Sequence, residues 1–190
     1  MDRRKALRNI GLTTGFVVAT PSLLSLLQSC QSEVENWQPE FLTVEQGIVL
    51  KGLVDTILPK TDLPSASEVN VPQFIDVIFK DVISVKEQEQ KQKAMDALIA
   101  IIKSKYAQDL NKVKESEYKE ILDAYLSKAE RTGEEKGIAQ LLGNIKWMTI
   151  NAYRNSELIG ETVLAYDPVP GQYLGCENLQ DLTGGKSWSL

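Results

Sequence analysis

The side chains with chemical reach in this sequence are two cysteines, Cys30 and Cys176, and 26 carboxylates; there is no histidine. Histidine is the usual general base, the commonest transition-metal ligand and the usual axial haem ligand. Without it, Ser-His-Asp and Cys-His schemes, a C-x-x-C-H haem attachment and most zinc centres are closed to the chain. Two cysteines alone do not hold an iron–sulfur cluster. Carboxylate chemistry survives this filter. The carboxylate pairs Glu87 with Glu89 and Glu134 with Glu135 lie in charged stretches that read as solvated helix openings. Thr183-Gly184-Gly185-Lys186-Ser187 has the look of a phosphate loop, but Gln180 occupies the position of its first glycine and only a few residues follow. No G-x-G-x-x-G stretch offers a dinucleotide site. The expectation is no catalytic, cofactor-binding or metal-ligating residue in this chain.

Cys30 instead ends a segment laid out as an export address. Arg3, Arg4, Lys5 and Arg8 form a basic opening, an apolar run extends from Ile10 to Leu27, and small Ser29 precedes the cysteine. The run has the length of a membrane span, yet Gly11, Thr13, Thr14, Gly15, Thr20 and Pro21 dilute it, which favours a removable or lipidated signal. Arg3 and Arg4, with Leu7 and Arg8 behind them, resemble a twin-arginine signal, the route for proteins exported already folded. Ala6 stands where an aromatic residue is common in that pattern. Leu27-Gln28-Ser29-Cys30 resembles a bacterial lipobox with an imperfect Gln28. On that basis Cys30 carries lipid, each buried CH2 adding about 0.8 kcal/mol of membrane affinity. The plainer alternatives are an ordinary basic opening and a free cysteine near a cleavage site. The expected location is the periplasmic side of the cell envelope, anchored to a membrane.

The leader also hides acidity. The whole chain carries −5, and Asp2 against four basic residues gives residues 1–29 a net +3, so the remainder carries −8. Nucleic acid, which demands a basic face, is excluded as a partner.

The elements behind the leader read as helices. Apolar residues at 43% and charged residues at 25% suit a globular body. After a polar tether over 30–42, Thr43 and Gln46 have capping-box spacing and open a helix with Val44, Ile48, Val49, Leu53, Val54 and Ile57 on its stripe, ended at Pro59. A turn-rich loop leads to a second helix starting at Pro72, with Phe74, Ile75, Ile78, Phe79, Val82 and Ile83 as buried candidates. The charged run from Lys86 opens a third, whose apolar face is Met95, Leu98, Ile99, Ile102, Tyr106 and Leu110. Ser116 is the expected cap of a fourth, with Tyr118, Ile121, Leu122, Tyr125, Leu126 and Ala129 on its stripe, and Thr132 with Glu135 that of a fifth bearing Ile138, Leu141, Leu142, Ile145, Met148, Ala152 and Tyr153. The fold class is therefore an all-α bundle of about five amphipathic helices over 43–165.

From Tyr166 to Leu190 the pattern changes. Prolines and glycines break helical periodicity while aromatic residues persist, unlike a solvated disordered tail. The expectation is an extended tail that drapes over its own bundle or over a partner. Interfaces concentrate such anchors, so the partner is preferred. Cys176 pairs with another chain or stays a free thiol, and sequence favours neither.

Three stretches together resemble the gluconate 2-dehydrogenase subunit 3 family. They are the twin-arginine leader, the loop Asp55-Thr56-Ile57-Leu58-Pro59-Lys60-Thr61-Asp62-Leu63-Pro64-Ser65-Ala66 with Val71-Pro72-Gln73-Phe74-Ile75-Asp76, and Tyr166-Asp167-Pro168-Val169-Pro170-Gly171-Gln172-Tyr173-Leu174-Gly175-Cys176. Ser65 and Leu63 depart from the pattern, which has glycine and a small or polar residue there. The resemblance implies a family loop centred on Pro59, Thr61, Asp62, Pro64 and Pro72. It implies a non-catalytic small subunit whose large partner is an FAD-dependent dehydrogenase of the glucose–methanol–choline type, acting on sugars or sugar acids. A cytochrome c subunit is a further partner it admits. The small subunit would carry the export signal and support maturation of the large one. On this view the partner contacts fall on Tyr166, Pro168, Pro170, Gly171, Tyr173, Gly175, Cys176 and Trp188. The competing reading is a stand-alone envelope lipoprotein that binds a ligand or another envelope protein; a carboxylate-dependent enzyme is a third.

Overall fold

The computed structural model describes residues 37–127, 129–169, 171 and 175–189. Arg3, Arg4, Leu7, Cys30, Pro170 and Tyr173 lie outside the described residues. Gln38–Leu190 makes up one compact unit.

Each helix begins where local chemistry satisfies its free N–H groups. Helix α1 (Val44–Ile57) starts at Thr43, whose hydroxyl accepts from the Gln46 N–H at 3.2 Å while the Gln46 side-chain oxygen accepts from the Thr43 N–H at 3.0 Å. This is the expected capping box, but Val44, expected on the helix's apolar stripe, is 66% exposed at its first position. A 3₁₀ turn (Ser67–Val69) and Asn70, at φ 60°, lead into α2 (Val71–Val77), which runs on as a π-helical turn (Ile78–Val82). Asparagine tolerates that left-handed conformation better than most residues. Ser84 and Glu87 form a second capping box and open α3 (Val85–Lys105).

Two starts differ from expectation. Helix α4 (Glu115–Tyr125) begins at Lys114, two residues before Ser116, because the Glu117 carboxylate reaches back to accept from the Lys114 N–H at 2.7 Å. The long helix α5 (Gly133–Arg154) does start after Thr132, but Thr132 makes no side-chain cap. Glu135 is drawn away by Arg131, its carboxylate accepting from Arg131 Nη1 at 3.2 Å.

The core is built around α1 and α5, which touch each other and each of α2, α3 and α4. Val49, Leu50, Leu53 and Val54 of α1 and Ile138, Leu141, Leu142 and Ile145 of α5 are buried in it, together with Ile75, Met95, Leu98, Ile102 and Ile121. Such side chains each stabilise a fold by roughly 1.5–3 kcal/mol on full burial. Among the described residues there is no strand. The chain is an all-α bundle.

After α5 a π-helical turn (Ile159–Val163) carries the chain into the tail. The tail contains, beyond the extended stretch expected there, a short helix α6 (Leu179–Thr183), capped by Asn178 and stopped by Gly184 at φ 64°. Gly185 follows at φ 81°, so the glycine pair of the apparent phosphate loop is a helix stop. Ala165 and Trp188 then form a parallel bridge. The Ala165 N–H donates to the Ser187 carbonyl at 2.9 Å and the Ser189 N–H to the Ala165 carbonyl at 2.8 Å, pinning the tail's two ends together.

Candidate partner-docking surface

The family loop is a brace. The Asp55 carboxylate accepts from the Ser67 N–H at 2.9 Å and from the Ser67 hydroxyl at 2.7 Å, and the Ala66 N–H donates to the Leu58 carbonyl at 3.0 Å. Glu68 accepts from the Ser65 N–H at 2.7 Å and pairs with Lys60. The hydrogen bond from Lys60, then that from Ser65, holds the Glu68 carboxyl below its ordinary value. Pro59, Thr61 and Asp62 are exposed at the loop's turn, where the Thr61 N–H donates to the Leu63 carbonyl at 3.0 Å. The Pro64 carbonyl accepts from the Tyr153 hydroxyl at 2.7 Å, which ties the loop to α5. Pro72 is buried at the second position of α2, one residue later in the helix than expected.

Asp76, the last residue of the same motif, holds the chain that precedes the bundle. It is almost fully buried and accepts from the N–H groups of Glu40 at 2.7 Å, Leu42 at 2.9 Å and Phe41 at 3.3 Å. The Phe41 ring packs edge-on against Phe79, centroids 6.5 Å apart, and Glu40 pairs with Lys80. Sequence reasoning quoted Asp76 without giving it a role, since its partners lie 34–36 residues away.

On the other side of α2 the surface opens. A groove of about 580 Å³ runs between α2 with its π turn and α5, lined by Phe74, Ile78, Val82, Trp147 and Met148 and edged by carboxamides, including Asn151. No ionisable side chain lines it. Phe74 is 50% exposed and Val82 67%, which corrects the expectation that both are core. The second helix turns them outward toward α5, and nothing in the described chain covers them. Trp147, 67% exposed, was on no predicted stripe. It lies one residue before core Met148, at the margin where a helix face passes from core to solvent. An uncharged, partly aromatic groove edged by polar groups has the make-up of an interface core.

The tail residues named from sequence are spread out. Tyr166 is 52% exposed and Trp188 41%, and the Ala165–Trp188 bridge brings their backbones near one another. Pro168, Gly171, Gly175 and Cys176 are exposed, and Cys176 is a free thiol in the single chain. Asn155 and Ser156 of the groove lie just before the π turn that precedes the tail, and the Gly160 N–H of that turn donates to the Ser156 carbonyl at 2.8 Å. Among the described residues no three His, Cys, Asp or Glu side chains come together as a metal site. No helix among them is long and apolar enough to cross a membrane.

The family model for gluconate 2-dehydrogenase subunit 3 matches residues 44–171. Comparisons with curated proteins and with solved structures return no match. The matched stretch holds helices α1 to α5, the braced loop, Asp76, both walls of the groove and the first residues of the tail. The chain therefore belongs to the gluconate 2-dehydrogenase subunit 3 family.

Proposed function

We propose that this chain is a non-catalytic small subunit that binds a large FAD-dependent dehydrogenase of the glucose–methanol–choline type, helps it mature and escorts it out of the cell. The observation that carries this reading is the uncharged groove with Trp147 standing out of it. A side chain of that size left in water costs burial energy, and a covering partner recovers it. The occupant proposed is another subunit of the complex, because the family is that of a dehydrogenase subunit. Tyr166, Trp188 and the rest of the tail extend the same contact.

The cofactor belongs to the partner. FAD is a dinucleotide held by a glycine-rich turn between a strand and a helix, and the described residues of this chain offer none. A flavoprotein loaded inside the cell must cross the membrane folded, so one twin-arginine leader serves both chains if they assemble first. Lipid on Cys30 would then hold the pair at the periplasmic face, and a cytochrome c subunit would take the electrons onward.

Co-expression with the large subunit tests this. Deleting residues 1–30 is expected to leave the flavoprotein in the cytoplasm; normal export of the flavoprotein would refute the escort role. The groove's volume also falls within the range of small-molecule pockets, which keeps the stand-alone lipoprotein in play. Purification of the native chain from membranes separates the two, since only the escort brings flavin absorbance with it.

A further inference from the structure

The seat of the N-terminal tether and the wall of the groove are two sides of one short turn. The π turn Ile78–Val82 sends Phe79 inward against Phe41 and Lys80 to Glu40, while Ile78 and Val82 line the groove. Asp76, one turn earlier, clasps the N–H groups of residues 40–42. The turn is irregular backbone: the Ile83 N–H donates to the Ile78 carbonyl at 3.3 Å, five residues back. The Gln88 side-chain amide donates to the carbonyls of Phe79 at 3.0 Å and Lys80 at 2.7 Å. Single π turns recur at functional sites.

We infer that occupancy of the groove and seating of residues 40–42 are coupled through this turn, so that the root of the export leader senses whether a partner is bound. This rests on the proposal that the large subunit occupies the groove. A partner pressing on Ile78 and Val82 holds the π turn in the form that also seats Phe41 and aligns Asp76. An unseated tether lets the turn relax and deforms the groove wall. Such coupling is reciprocal, each event favouring the other by the same factor.

The test uses the full chain and its large subunit, with affinity and backbone hydrogen exchange as readouts. Bound partner is expected to slow exchange at Glu40, Phe41 and Leu42. Asp76→Asn is expected to weaken partner binding by about fivefold or more, the lower end of typical coupling. Phe41→Ala serves as a second variant of the seat should Asp76→Asn fail to fold. Trp147→Ala in wild-type and seat-variant backgrounds completes a cycle. Its cost should shrink when the seat is already broken, because both changes disturb one wall. Additive costs would mean that seat and groove act independently, which overturns the coupling. Unchanged exchange at 40–42, with Trp147→Ala still weakening binding, overturns the coupling and leaves the groove as the docking site. No effect of Trp147→Ala removes the groove reading and this inference with it.

Discussion

Helix α5 carries two apolar faces with opposite fates. Along one, Ile138, Leu141, Leu142 and Ile145 are sealed against α1, α3 and α4. Along the other, Trp147 stands in solvent and lines the groove with Phe74 and Val82 of the facing helix turn. The residue types are similar, so hydrophobicity alone does not separate them. The difference is whether this chain supplies a cover. The first face is what makes the chain fold; the second contributes little to folding and is available for association. The tail belongs with the second face, since Tyr166, Val169, Leu179, Leu182 and Trp188 are all exposed on it.

The comparison can be broken most directly at the sealed face. Ile145→Ala is expected to lower unfolding stability by about 2–5 kcal/mol, through lost transfer energy and a cavity between α5 and its neighbours. Urea denaturation measures it. A loss under about 1 kcal/mol would mean that the site collapses and the face is less tightly packed than described. The open face should behave in reverse. Trp147→Ala is expected to leave stability within about 0.5 kcal/mol. It should cost about 2 kcal/mol or more in binding to the large subunit, as interface tryptophans do. Calorimetry of the pure chain and titration of the pair check the two halves separately.

The packing of α1 against α4 gives a sharper test of the sealed region. A Cβ at Gly52 would lie 2.4 Å from Tyr118 Cε2, so Gly52→Ala must displace that ring, at a cost of about 1–3 kcal/mol. Double substitution with Tyr118→Leu should recover part of the loss. Burial, with Glu117 adding to it, pushes the Tyr118 phenol up to about 12 from 10.0. The folded state therefore keeps its proton where the unfolded chain has released it. Stability from this group is fully present below about pH 10 and is lost as pH rises towards 12. Tyr118→Phe should flatten that alkaline decline in a pH series of melting curves. A smaller loss in the sealed region is expected of Thr43→Ala, about 1 kcal/mol from loss of the α1 cap, read by the same urea denaturation.

Much of the sealed half was legible in the sequence, because helix stripes and caps are local. Thr43 with Gln46, and most of the stripes of α3 and α5, follow from spacing within single turns; Tyr106 and Leu110 do not, since α3 ends at Lys105 and Leu110 opens a separate 3₁₀ turn. Ser116 misled because an acid three residues after any residue can reach back to its N–H, and Glu117 does so for Lys114. Glu135 misled because Arg131, four residues away, competes for it. The open half was less legible for a different reason. A stripe identifies apolar residues without saying which of them another helix covers, so Phe74 and Val82 read as core. The groove exists only where α2 and α5 lie side by side, more than 60 positions apart in the chain. Asp76 was equally hidden, its partners being the backbone of Glu40–Leu42. The motif carried those residues without disclosing their geometry.

Hydroxyl-radical footprinting of the intact complex, set against the single chain, tests the central claim most directly. If the groove is where the large subunit sits, Trp147 is modified readily in the single chain and falls silent in the complex. Equal modification of Trp147 in both samples would contradict the account.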